Sequence, residues 1–531
     1  MKSHTGRTAA LALSAAAVLA LSACTGDGGG GGGGGGGDRV YIQAIAEEPT
    51  SFNGQVTSGL SPTMFSAQIF DTLVRVSDRY ELSPGLAESW ELSDDGLTLT
   101  LHLRDDVAWH DGEPFTAEDV KFNLEEIVEL QTFGAPLAAR IDTVEVVDEH
   151  TAVVHMTEPY GPLLETLGIQ FIIPKHVYEG TEYVTNPANM EPVGTGPMMY
   201  ESYSSGEQVV FVKNPDYWEG EVQVDRAVYP IMTDPNTRAL ALFAGEVDEA
   251  SIDPSQQDRV SEDENLELRT RGVFSQLVSV MFNAQSEYLQ DPEVRALVFA
   301  ALDREAITDT ALSGLGQPAT GFFPETLDWA RDASIDFDED FPRDLEAIEE
   351  GLDAAGYPVQ SDGLRFTLDV EYITSLSEVA ATAELAKSQL AEVGIGLNLN
   401  GSASAVFTER VYTASDFDLA FLRSTIGADP TIGIARWYTC NDKKAAASNP
   451  SGICDPELDA AAAGAAESID RETRAEYFHA MQQRARELMY YAPVAWFDGA
   501  FTTVNTTRWD GLLDDTGRVS TTPWLNMQLK E

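Results

Sequence analysis

The chain has 531 residues, and its 33 Lys plus Arg face 87 Asp plus Glu, a formal net charge of −54. So acidic a surface excludes nucleic acid and anionic lipid as partners, because the field of the whole protein repels both. With 43% hydrophobic residues the chain is a folding one, and it is too long for a single core, so two or three domains are expected.

Lys2 and Arg7 precede an apolar stretch from Ala9 to Leu21, the shape of a secretory signal and too short to span a bilayer. Leu21-Ser22-Ala23-Cys24 resembles the bacterial lipobox, so residues 1–23 are expected to be removed and Cys24 to become a lipidated mature N-terminus. Loss of Lys2 and Arg7 would take the net charge to −56. Residues 24–38 follow as a tether containing ten consecutive glycines, Gly28 to Gly37, with a reach of roughly 20 Å. No later stretch is apolar enough to span a membrane, so the anchor is the only expected membrane contact.

From Leu97 to Leu103 leucines alternate with Thr98, Thr100 and His102, which predicts a half-buried strand with His102 on its polar face. Thr116 with Asp119 three residues on predicts a capped helix start, stapled by Phe115 and Val120, and Val120, Leu124, Ile127 and Val128 share its apolar face. The acidic segment from Asp332 to Asp344 has alternate aspartates but lacks the sixth-position glycine and twelfth-position glutamate of a calcium loop, so it reads as a solvated loop. Further on, Phe366 to Tyr372 alternate as a strand, Ser377 caps a helix through Val393 that stops at Gly394, and Ile395 to Leu399 alternate again. This predicts a β-α-β unit with parallel strands and a right-handed crossover, and Asp416 to Leu422 supplies a third strand. Ligands gather beyond the carboxyl ends of such strands, which points to Tyr372–Ser375, Gly401–Ser404 and Arg423–Gly427. Beyond Cys24 the two remaining cysteines, Cys440 and Cys454, read as a disulfide outside the membrane in preference to a metal site, since no histidine lies near them.

Several ordered segments then resemble one family. They include Pro84-Gly85-Leu86-Ala87-Glu88-Ser89-Trp90, His110-Asp111-Gly112-Glu113-Pro114-Phe115-Thr116-Ala117-Glu118-Asp119-Val120, Val193-Gly194-Thr195-Gly196-Pro197, and Lys213-Asn214-Pro215-Asp216-Tyr217-Trp218. Together with Phe282-Asn283 and the run from Asp291 to Arg304, they are similar to the extracellular solute-binding proteins of family 5, the peptide/nickel group served by ABC importers. The resemblance implies an α/β, two-lobed periplasmic-binding-protein fold of class II, hinge-connected, with the ligand cleft between lobes. Lobe I is expected at 39–275 plus 498–531, carrying an inserted subdomain at 57–188, and lobe II at 276–497. It also implies a monomer that captures a peptide-like solute outside the membrane and delivers it to permease subunits with their ATPases, with no cofactor.

The expected ligand-binding set is Phe52, Thr195, Gly196, Phe274, Asn283, Tyr372, Ser404, Arg423, Ile426, Asp429 and Trp437, with Arg436 beside the last. Peptide binders of the family hold the peptide ammonium with an aspartate four residues before the proline that here is Pro430, and this chain has Ile426 there. Asp429 is the nearest substitute, and Arg423 could hold a ligand carboxylate or serve a structural salt bridge. An oligosaccharide or metal chelate in the same fold, or a peptide-sensing surface receptor, are the alternatives. An enzyme is not expected: the histidines are scattered, and no His-Glu-x-x-His, Gly-x-Ser-x-Gly or Walker A sequence occurs.

Overall fold

A computed structural model describes residues 39–57, 60–77, 80–131, 133–253, 256–269, 276–497, 502–514 and 522–530. Cys24, the glycine tether and Phe274 lie outside the described residues. Two large sheets organise the rest. A seven-stranded sheet runs Leu266–Leu268, Thr502–Asn505, Glu249–Ser251, Val40–Ala44, Arg226–Pro230, Gln208–Lys213, Met198–Ser204. A six-stranded sheet runs Gly316–Pro318, Tyr491–Phe497, Gln276–Phe282, Leu419–Thr425, Phe366–Ile373, Ile395–Ser402. The chain therefore passes from the first sheet to the second after Leu268 and returns after Phe497. Those two passages are where a change in the angle between the sheets must be absorbed.

Between the first and last strands of the seven-stranded sheet lies a four-stranded antiparallel sheet, Ala87–Leu92, Thr98–Leu103, Thr151–Met156, Ile141–Asp148. Leu99, Leu101 and Leu103 are buried while Thr98, Thr100 and His102 are half-buried, the alternation that the sequence predicts. The helix after Thr116 is shorter than its apolar pattern: Ala117–Phe122 is α-helical, Asn123–Ile127 is a π turn and Val128–Leu130 a 3-10 turn. The Asp119 carboxylate accepts from the Thr116 N–H at 3.0 Å, and Phe115 and Val120 are both buried as a staple requires. The change of winding lets Val120, Leu124 and Val128 face the core under the four-stranded sheet while Ile127 turns to the core of the larger one.

The central strands of the six-stranded sheet are buried on both faces, which is why Tyr491–Phe497 and most of Gln276–Phe282 read as unbroken apolar runs without alternation. Phe366–Ile373 and Ile395–Ser402 are parallel in register from Phe366↔Ile395 to Ile373↔Ser402, joined by the helix Ser377–Glu392. Leu376, not Ser377, is the N-cap, and Ser377 is the first helical residue, which corrects the expected cap. Gly394 takes φ +79° at the helix end, as a C-terminal stop requires. The third strand begins at Leu419, later than its sequence pattern suggests. The Asp418 carboxylate receives the Asp369 N–H at 2.8 Å and the Ser286 hydroxyl at 2.6 Å, side-chain bonds that add to the main-chain bond from Asp418 N–H to the Asp369 carbonyl at 3.0 Å.

The acidic segment is not simply solvated. Asp336 caps the short helix Phe337–Asp340, Asp338 pairs with the buried Arg304, and Asp340 pairs with Arg486 at 2.5 Å. Asp338 thereby neutralises an arginine that would otherwise be stranded at the edge of the core, whereas the Arg486 side chain is 41% exposed.

Candidate functional site

The strand Leu419–Thr425 ends in a loop folded back on itself. Ile434 N–H donates to the Ile426 carbonyl at 3.0 Å, Gly433 N–H to that of Asp429 at 3.0 Å and Ala435 N–H to that of Pro430 at 2.9 Å. Its two arms touch backbone to backbone: a Cβ on Gly433 would lie 1.5 Å from the Ile426 oxygen and 2.8 Å from the Gly427 Cα. Only glycine fits there. Ile426 is fully buried in the core of the six-stranded sheet, so the position that would bear an ammonium-binding aspartate seals the base of the loop instead.

Asp429 does not face a ligand. Its carboxylate accepts from Arg474 Nη2 at 2.6 Å and from Thr431 N–H at 2.8 Å, with side-chain exposures of 2% for Asp429 and 5% for Arg474. Arg474 also donates to Thr431 Oγ1 at 2.9 Å and to the Ala465 carbonyl at 3.0 Å. The pair is dry and hydrogen-bonded on both sides, which commits Asp429 to the loop and corrects its expected role.

Beyond the loop, the 3-10 turn Ile434–Trp437 presents Arg436 and Trp437. Trp437 is buried, stacked on Tyr491 with centroids 5.3 Å apart and planes 11° apart. The Arg436 guanidinium lies 5.3 Å from the centroid of Phe133, which comes from the segment beside the four-stranded sheet, and 5.5 Å from that of Trp437. Arg436 Nε and Trp437 Nε1 are buried without a hydrogen-bond partner among the described residues. Burial lowers the Arg436 pKa from its ordinary value, opposed only by the Tyr491 and Tyr412 hydroxyls. Cys440 and Cys454, joined by a disulfide with Cα atoms 4.4 Å apart, close the segment after this turn. Replacing both cysteines by serine is expected to lower unfolding free energy by about 3 kcal/mol, the loop entropy returned to the unfolded chain, as read by urea denaturation.

The other expected site residues separate into three groups. Phe52 is core, edge-on to Phe65 at 5.1 Å and surrounded by Tyr200, Tyr203 and Phe211. Thr195 and Gly196 are structural: the Thr195 hydroxyl donates to Asp71 at 3.0 Å, and Gly196 N–H to the Ile69 carbonyl at 2.8 Å. His110 clamps this loop, receiving the Gly194 N–H on Nδ1 at 3.1 Å and meeting the Gly196 carbonyl at 3.0 Å through Nε2. Burial holds its pKa down at about 4, so the neutral ring fits both bonds. Asn283 sits at the amino ends of the parallel strands, donating to the Phe417 carbonyl at 2.8 Å, the opposite end from where a ligand is expected. Arg423 meets Glu378 at 3.4 Å and donates to Gln276, so the salt bridge of its two readings is present. Tyr372, half-buried with its ring against Gly401, and Ser404, exposed at the start of Ser404–Thr408, do lie at the carboxyl ends of the strands.

The four-stranded sheet is docked on the six-stranded one beside Asp429. Ala428 and Ile432 enter the core of the smaller sheet, and Gly161 N–H donates to the Ala466 carbonyl at 2.6 Å. Glu165, on the helix Leu163–Leu167, faces this contact; burial and then the Asp429 carboxylate push its pKa up to about 7. Its ordinary value is 4.5, so between 4.5 and 7 the native state holds a proton that the unfolded chain has lost, and stability falls as pH rises through that window. Glu165→Gln is therefore expected to match wild type near pH 4.5 and to exceed it by about 3 kcal/mol at pH 8, measured by denaturant unfolding at each pH.

With this geometry in view, residues 81–445 match the family model described as bacterial extracellular solute-binding proteins, family 5 middle. The chain belongs to that family. It is 30% identical over 485 residues to protein XP55 of Streptomyces lividans, covering 88% of this chain and 85% of the relative. To di/tripeptide-binding protein 1 of Pseudomonas aeruginosa it is 27% identical over 478 residues, 84% of this chain and 87% of the relative. Among solved structures, the ABC transporter substrate-binding protein CtaP of Listeria monocytogenes superposes with a TM-score of 0.82 at 25% identity, over 93% of this chain and all of the other. The chain thus has the two-lobed α/β fold of periplasmic binding proteins, and the protein is a solute-binding protein of the extracellular family. No helix among the described residues is long and apolar enough to cross a membrane.

Proposed function

We propose that this protein is the solute-binding component of an ABC importer, capturing a peptide-like solute between its lobes and presenting the closed form to permease subunits with their ATPases. The family match across residues 81–445 carries the reading, supported by relatives described as di/tripeptide-binding proteins. In this reading residues 1–23 are cleaved, Cys24 carries the lipid, and 24–38 tether a monomer outside the membrane. Lobe I comprises 39–275 and 498–531 with its insertion at 57–188, and lobe II comprises 276–497. A bound solute stabilises the closed state only through contacts that the open state lacks.

The test is thermal unfolding of the purified mature chain against di-, tri- and oligopeptides, oligosaccharides and nickel chelates. A melting-temperature rise confined to peptides is the expected result. A rise with sugars or chelates alone would mean that the fold serves another solute.

A further inference from the structure

Most arginines among the described residues pair with an acid, and Arg104, which does not, donates to the Gly85 carbonyl at 2.9 Å. Among the described residues, even the deeply buried ones are matched: Arg304 with Asp338, Arg365 with Asp353, Arg474 with Asp429. Arg295 and Arg238, without carboxylates, are saturated by backbone carbonyls. Arg259 and Arg471, which rest on aromatic rings, are exposed to water. Arg436 fits none of these. It is half-buried, has neither a carboxylate nor a hydrogen-bond acceptor among the described residues, and has only aromatic groups around it.

Leaving the buried Nε of a guanidinium unbonded is costly, and the chain has 87 carboxylates from which a partner could have been drawn. Arg436 also reaches from the segment after the strand Leu419–Thr425 to Phe133 beside the four-stranded sheet, so it stands where these two parts of the fold meet. From these we infer that Arg436 receives a carboxylate of the bound solute, making the free acid end of the ligand a principal recognition element. A singly charged group matches one guanidinium, whereas a polyanion would meet the repulsion of a protein at −54. Phe133, which is half-buried, supplies an apolar face for whatever adjoins that carboxylate, backed by Trp437 and Tyr491 stacked on each other in the core. The inference rests on the solute-binding reading and sharpens it: with Ile426 sealing the base of its loop and Asp429 held by Arg474, these two supply no ammonium site, and the acid end of the ligand becomes the charged handle.

Acid and amide pairs separate the possibilities. Short peptides and non-peptide carboxylates are each matched with their C-terminal or terminal amide, and binding is followed by thermal shift and calorimetry on wild type, Arg436→Gln and Arg436→Lys. The expected result is at least a tenfold preference for acid over amide in wild type, lost in Arg436→Gln and partly kept in Arg436→Lys. Equal binding of a peptide and its amide to wild type overturns the carboxylate inference while the peptide reading stands. A shift seen only with non-peptide acids, and abolished in Arg436→Gln, supports the inference and removes the peptide reading. No shift with any member overturns both. The wild-type comparison decides the matter even where Arg436→Gln proves unstable.

Discussion

Replacing Arg474 by methionine is expected to reduce stability by about 3–5 kcal/mol, because it leaves Asp429 charged and almost fully enclosed without its partner. The Arg474 guanidinium holds four things at once: the Asp429 carboxylate, the Thr431 hydroxyl, the Ala465 carbonyl and, at 5.3 Å, the ring of Trp329. Losing it releases the loop 426–434 from the helix Arg471–Leu488. Adding Asp429→Asn to the methionine variant removes the stranded charge, so the double mutant should recover a large part of the loss. Denaturant unfolding of wild type, both single variants and the double variant measures this as a coupling energy. Additive losses would show that the pair is not a unit.

Gly433→Ala should be as damaging for a different reason. Its new methyl would fall 1.5 Å from the Ile426 carbonyl oxygen, which is held in place by the Ile434 N–H, so neither side can yield without opening the loop. A loss of more than about 3 kcal/mol is expected, at the upper end of overpacking effects because backbone is struck, not a side chain. Gly321→Ala provides the control: its Cβ would meet nothing nearer than 3.7 Å, and its stability should stay within about 1 kcal/mol of wild type. Because the same loop leads into Arg436, Gly433→Ala should also weaken solute binding in whatever fraction remains folded.

How much of this was readable in the sequence depends on the range of the interactions involved. The β-α-β unit from Phe366 to Ser402 and the strand around Leu101 follow from local periodicity, and both formed where expected, the helix cap at Leu376 instead of Ser377 apart. Family motifs located the signature segments, but they did not say which side of the fold each residue faces. Thr195 and Gly196, in the Gly194-Thr195-Gly196 loop, were expected among the ligand-binding residues. The loop's close approach is to Ile69: a Cβ on Gly194 would lie 1.8 Å from that residue's carbonyl oxygen. Asp429 looked like a free acid next to a proline, and its partner Arg474 is 45 positions away on another helix. Such pairings depend on tertiary packing and leave no local signal.

Arg436 shows the reverse case. Its neighbours Ile434, Ala435, Trp437 and Tyr438 are all apolar or aromatic, and the nearest acids along the chain are Asp429 and Asp442. That pattern marks an arginine without a local partner. Only the fold shows that no distant partner arrives among the described residues either, and that Phe133 closes over it.

The most direct check of the account is native mass spectrometry of the mature protein purified under gentle conditions, with the released ligand identified by fragmentation. The expected spectrum shows an added mass that fragments as a peptide with a free carboxyl end. A sugar or a metal chelate as the retained ligand would contradict it, leaving the two-lobed solute-binding fold with a different cargo.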